Sequence, residues 1–291
     1  MKNGRFALTN NAFYILKSGY DADRSDIAEL VEEAEFDEVF EPQVIQRAQQ
    51  SLLAPNARLE QEISWLPELN KAQTSNVLSL VGSGDLEALI ETSKHAPELA
   101  KANILAHFSG SENINDRLFH ALVAAWDEID EANILNFINE KRLSAEFPRV
   151  EPDQLHNALM ELEKQHARSA AVGIWSLDRP GEVMDRIVVA ELKRHPSSSL
   201  LEQFVRNYDI LSEPDLARIS DEIDKVISDA DDAEADLEAL VTRVSDLLVR
   251  WDDVNQPVQV YEEHQGHEEG RSKRIYEKLR SLCLDFANNR S

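Results

Sequence analysis

The residues best able to do metal chemistry are His264 and His267, three apart in "EEHQGHEEG" with Glu268 and Glu269 beside them. Two imidazoles next to carboxylates can hold zinc or nickel, but a metal centre needs a third and usually a fourth ligand, and no spacing in the chain supplies one. The alternative for the segment is an exposed, flexible loop. His107, His120, His156, His166 and His195 are dispersed over amphipathic stretches, where capping and surface roles are commoner than ligation. The single cysteine, Cys283, stands between Leu282 and Leu284 and reads as a buried, inert thiol. There is no phosphate-cradling glycine loop and no strand-to-helix nucleophile turn. The acidic run from Asp229 to Asp236 lacks the glycine and spaced ligands of an EF-hand and reads as a solvated face. These motifs point to a chain without catalysis and without a cofactor. An enzyme would need a site assembled from distant residues, such as the two histidines with dispersed carboxylates.

Such residues must be held by helices. In 291 residues there are nine glycines, long Ala-, Leu- and Glu-rich stretches and few alternating β-branched runs, so the expected class is all-α. Hydrophobic residues make up 42%, enough for one large core or two modest ones. Fifty-five acidic residues against thirty basic ones give a net charge of -25, which repels phosphate backbones and anionic lipid surfaces. Nucleic acid and membrane are therefore not expected as direct partners. The single cysteine and the lack of a signal-type or spanning apolar segment lead to a cytoplasmic expectation.

The first elements are short. Asn10 or Asn11 can cap a helix carrying Phe13, Ile15 and Leu16, and Asp23 or Ser25 a second carrying Ile27, Leu30 and Val31. Pro42 opens a third helix, and Pro55 breaks "QQSLLAPNARLEQEI" into the end of that helix and the start of a fourth, because proline suits a first turn and not an interior. "SWLPEL" marks the way out of this unit. "ELAKANILAHF" at 98–108 and "EIDEANILNFI" at 128–138 share Ala-Asn-Ile-Leu in register, a packing clue to paired helices. Leu216, Ile223, Ala230, Leu237, Val244 and Trp251 recur every seven residues, with Ile219, Val226, Ala233, Leu240 and Leu247 between them. That seam suits a coiled-coil partner or antiparallel packing within the chain, with a break at "DADDAEAD" and Pro214 as the helix start. A Pro-bounded polar loop then leads to a final helix striped by Ile275, Leu279, Leu282 and Phe286. The expected domains are residues 1–69, a helix-pair domain at 70–211, and 212–291.

"FYILKSGYDADRSDI" resembles the opening of a J domain, the DnaJ-like co-chaperone module, with Leu16, Asp21, Ala22 and Ile27 at the family's spacing. Ala48, Leu52, Pro55 and Arg58 match the register of its closing helix, and the carboxyl end is similar to those of bacterial J-domain-like proteins. The resemblance implies a J-like helical domain over the first fifth of the chain. J domains act on Hsp70 through a His-Pro-Asp tripeptide, and that position holds Val39, Phe40 and Glu41. Their second helix also presents basic residues, whereas here the outward positions are Glu29, Glu32, Glu33 and Glu35, which turns attraction at that interface into repulsion. The expectation is therefore a J-like domain without the usual activity, in a non-catalytic adaptor or chaperone-like protein that binds protein partners, basic ones in particular, with Glu29, Glu32 and Glu33 as the candidate contact. One alternative is an Hsp70 co-chaperone acting without the tripeptide; another is an acidic inhibitor or regulator of a basic protein. The oligomeric state stays open with the seam.

Overall fold

The computed structural model describes residues 5–111, 113–230 and 237–289. Among these the chain is all-helical, with no strand, and it divides into two compact units, 1–173 and 174–291. The boundaries expected at 69 and 211 fall inside these units.

In the first unit a 3-10 turn, Leu8–Asn10, leads into α1, Ala12–Ile15, whose first turn is capped by Asn11 through the Phe13 N–H. Then come α2, Arg24–Asp37; α3, Pro42–Leu53; and α4, Pro55–Ile63. Pro55 does what its chemistry requires: Ala54 is extended, α3 stops, and α4 starts with proline in its first turn. Helices α1 and α2 pack on α3, so Phe13, Ile27, Ile45 and Leu52 form one core. Next follow α5, Lys71–Ser83; α6, Leu86–Ser93; α7, Glu98–Ser109; α8, Asp116–Asp127; and α9, Glu131–Ser144. The long α10, Pro152–Trp175, runs to the division between the units.

The paired "ANIL" motifs fall on α7 and α9 with unequal burial. Helix α7 is buried on nearly every side, whereas α9 buries only Ile134, Ile138 and Arg142. Their asparagines do a related job. Asn103 donates to the Ile63 and Trp65 carbonyls at 2.7 and 2.6 Å, and Asn133 donates to Glu68 at 2.8 Å, so both hold the "SWLPEL" segment. His166 is fully buried, contrary to the surface role expected of it. It accepts from the Trp126 indole N–H at 3.2 Å and lies edge-on to Phe6, its ring centroid 4.4 Å away, so it serves as a core residue.

The second unit holds α11, Pro180–Arg194; α12, Ser199–Ala230; α13, Leu237–His264; and α14, Gly270–Asn289. The heptad seam is used inside the chain. Leu216, Ile219, Ile223 and Val226 of α12 meet Leu247 and Trp251 of α13 and Ile275 of α14 in one core. The Glu222–Arg250 ion pair and the hydrogen bond from the Tyr208 hydroxyl to the Val254 carbonyl set α12 and α13 antiparallel. Residues 231–236, where the break was placed and where Ala233 lies, are outside the described residues.

Two prolines behave differently from the sequence expectation. Pro214 sits inside α12 and does not start it; the residue is exposed, so the hydrogen bond its missing N–H forfeits lies on the solvent side. Pro257 sits inside α13, which continues to His264, and the polar loop shrinks to 265–269. A proline cannot donate to the carbonyl four residues earlier, here Asp253. The backbone of α11 lies close to that carbonyl: a Cβ on Gly181 would stand 1.7 Å from it, so only glycine permits this approach. Cys283 is exposed, not buried. Sequence neighbours on a helix point about 100° apart, so flanking leucines do not bury the residue between them, and Leu284 is itself half exposed.

Candidate interaction site

Helix α2 begins with a reciprocal cap. Asp23 accepts from the N–H groups of Ser25 and Asp26 at 2.7 and 2.9 Å, and Asp26 accepts from Asp23 at 3.1 Å. Ile27 and Val31 bury one side. On the other side Glu29, Glu32 and Glu33 are all exposed and share a face with Phe36, since residues three, four and seven apart are neighbours on a helix. Phe36 is 88% exposed and Val39 68%. Glu38 ends the helix in the left-handed region at φ 52°, which turns the chain toward α3. Glu35, Glu38 and Glu41, next or next but one to these two residues in sequence, are exposed too, and Asp37 is matched by Lys17 at 2.7 Å. No base stands in the last turn of α2, so these carboxylates add to the negative end of the helix dipole.

Beside this lip lies a groove of about 960 Å³, lined in part by Val39 and Phe40. Its aromatic lining falls in two contacting runs. Tyr14 meets Phe40 and Trp65 with ring centroids 6.2 and 6.3 Å apart, while Tyr20 stacks on Phe13 at 4.9 Å and meets Phe137 edge-on at 5.1 Å. Among the described residues four non-glycine residues have positive φ: Lys17, Glu38, Glu68 and Glu146. Lys17 and Glu68 line the groove and Glu38 adjoins Val39, so three of the four strained positions border one surface.

The groove is built over a buried ion cluster. Glu62 accepts from Arg58 Nε at 2.8 Å and from Arg142 Nε of α9 at 2.9 Å, and all three side chains are at most 2% exposed. Other guanidinium N–H groups go to carbonyls: Arg58 to Leu52, Tyr20 and Ala22, and Arg142 to Pro55 and Pro148. The chain break at Pro55 thus has its loose carbonyls tied by arginines. Arg58 also lies 4.0 Å from the centroid of Phe147. Burial pushes the Glu62 carboxyl up and the two guanidiniums oppose it; burial likewise lowers Arg58. The Tyr20 hydroxyl donates to the Glu62 carbonyl at 2.9 Å, and burial holds its phenol well above the ordinary range.

The expected metal pair does not assemble. His264 ends α13, and His267 meets Glu262 at 3.1 Å; among the described residues no group of three ligand-type side chains forms around either histidine. Glu268 pairs with Lys273. Glu269 instead starts α14, accepting from the N–H groups of Ser272 and Arg271 at 2.7 and 2.9 Å and from the Arg271 and Asn255 side chains. Burial would raise that carboxyl, but these donors win and hold it at about 2. The segment is a helix start organised around a carboxylate.

The groove and its ion cluster were not found by sequence reasoning. A signal for the cluster existed: Arg58 and Glu62 stand four apart on the same stripe as Leu59 and Ile63, where a solvated helix would keep charges out. Nothing in the spacing marks Arg142 as the third member. No known protein family, curated protein or solved structure matches the chain.

Proposed function

We propose that this protein is a non-catalytic adaptor whose first unit binds a basic, amphipathic segment of a partner protein on the α2 face and the adjoining groove. The observation that carries this reading is the exposure of Phe36 and Val39 inside a field of carboxylates. An apolar pair left in water beside Glu29, Glu32, Glu33 and Glu35 suits a partner that brings apolar anchors together with lysines or arginines. Charge attraction speeds encounter and selects against acidic competitors, while burial of the two side chains supplies the affinity. The aromatic groove offers room for a further anchor.

The J-domain resemblance supports the same surface. Helices α2 and α3 pack together across a short loop, and that loop carries Val39, Phe40 and Glu41 where J domains carry His-Pro-Asp. The module would thus keep the J-domain scaffold and replace its Hsp70 contact with an apolar, acidic one. Capture from native lysate with the wild-type chain, with Phe36→Ser/Val39→Ser and with Glu29→Lys/Glu32→Lys/Glu33→Lys tests this. The expected result is one set of basic proteins retained by the wild type, released by moderate salt, and lost from both variants. Equal recovery with all three chains refutes it, and recovery of an Hsp70 that both variants lose favours the co-chaperone alternative.

A further inference from the structure

A second cleft of about 690 Å³ in the first unit shares no lining residue with the aromatic groove. It runs between the amino-terminal segment, α4 and α10, and its lining is rich in carboxamides. Three of these are structural: Asn11 caps α1, Gln61 accepts from the Ala12 N–H at 2.8 Å, and Gln154 accepts from the Glu151 N–H at 3.0 Å. Four others, Asn10, Asn56, Asn157 and Gln165, are exposed and make no side-chain hydrogen bond among the described residues. Charge is sparse: the cleft is bordered by one base, Arg5, and two acids, Glu60 and Glu161. In a chain of net charge -25 this is a weakly charged, hydrogen-bonding surface.

The wall opposite α10 includes one extended residue, Ala7, ahead of the Leu8–Asn10 turn, in which the Asn10 N–H donates to the Ala7 carbonyl at 3.0 Å. Ala7 has φ -148° and ψ 123°. Phe6 and Leu8 turn their N–H groups inward, to Ser169 Oγ at 2.9 Å and His107 Nδ1 at 3.3 Å. The N–H of Ala7, between them, has no partner among the described residues, and Ala7 lines the cleft. Alternation along an extended chain points that group the other way from its neighbours.

We propose that this cleft binds an uncharged, extended polypeptide segment. One of its carbonyls would accept from the Ala7 N–H, and the free carboxamides, which each carry donor and acceptor, would satisfy its other peptide groups. From Gln154 to Gln165 the α10 wall runs about 16 Å, the length of roughly five extended residues. A saccharide is the weaker fit, because such ligands stack on an open aromatic face and Phe6 is only 5% exposed. Glu60 and Glu161 disfavour a nucleic acid.

The test uses the full chain, labelled for NMR, and a pool of acetylated, amidated hexapeptides of Ser, Thr, Ala and Gln. Saturable shifts are expected at the Ala7 backbone amide and at the side-chain amides of Asn157 and Gln165. N-methylation of the peptide backbones should abolish them, and Asn157→Ala/Gln165→Ala should weaken binding about tenfold, as expected for two lost hydrogen bonds. Both substituted residues are exposed, so the variant keeps its fold, which its unperturbed core signals would confirm. No saturable shift at millimolar peptide, equal binding of the N-methylated pool, or the same shifts with maltohexaose in place of peptide would overturn the proposal.

Discussion

Replacing Glu62 by glutamine strands two guanidiniums in the core of the first unit. Arg58 and Arg142 would keep their carbonyl partners but lose the only carboxylate they share, and the new amide group would point a donor at one of them. Removing one member of a buried ion pair costs about 3–5 kcal/mol, against about 5–15 kcal/mol for the whole stability of a domain. Arg142→Met is the milder change. It leaves the Arg58–Glu62 pair neutral and strands the Pro55 and Pro148 carbonyls, of which the half-exposed surroundings let water reach part; about 2–3 kcal/mol is expected. Replacing all three by apolar residues, often harmless for a buried cluster, should fail here, because five backbone carbonyls lose their donors. Since there are two units, a single melting curve does not assign the loss. Native-state hydrogen exchange read separately over α4, α9 and α13 does: α4 and α9 should lose protection together in Glu62→Gln, with α13 unchanged. A loss below about 1 kcal/mol, or a loss confined to α4, would refute the view that Glu62 ties α9 to α4.

Excised alone, residues 1–69 should not fold cooperatively, as they lose Arg142, Asn103 and Ser169 as partners; circular dichroism of the fragment in urea checks this. Burial holds the His166 imidazole down at about 3, well under its ordinary 6.5, so it is neutral in the fold. A depressed folded pKa in a base means the unfolded chain binds the proton first, and stability falls as pH drops from about 6.5 toward 3; about 2 kcal/mol should be gone by pH 5. His166→Gln keeps an acceptor for Trp126 and should flatten that slope in urea titrations at pH 7 and pH 5. Glu269→Ala should cost about 1–2 kcal/mol, confined to the second unit, since α14 loses its cap.

What the sequence made legible was local chemistry. Pro42 and Pro55 at helix starts, Asn11 and Asp23 as caps, and the exposed acid face of α2 all follow from one or two residues and their neighbours. The seam of Leu216 to Trp251 was legible as a pattern, but its partner was not, since an intrachain and an intermolecular helix satisfy the same heptads equally. Local rules were overridden at Pro214 and Pro257, each inside a helix that continues past it; at Pro214 the forfeited hydrogen bond lies on the solvent side. Arg142 lies 80 residues from Glu62, and no local periodicity encodes a contact over that distance. The same holds for the aromatic groove, whose lining comes from α1 and the loop after it, the loop after α2, the segment after α4, α5 and α9.

The acidic face of α2 is not something the fold requires. Only Ile27 and Val31 are fully buried from this helix, and its carboxylates repel one another and the negative end of the helix dipole. Relief of that repulsion by Glu33→Lys/Glu35→Lys should raise the melting temperature of the first unit, by about 1–2 °C. If the surface has no role, the variant is simply a better protein. If Phe36 and Val39 anchor a basic segment, the same two substitutions stabilise the fold and weaken binding, with the loss concentrated in the association rate and largest at low salt. Opposite signs for stability and binding in one variant are hard to produce by damage to the fold, and this is why charge reversal on α2 separates a binding surface from an ordinary solvated one.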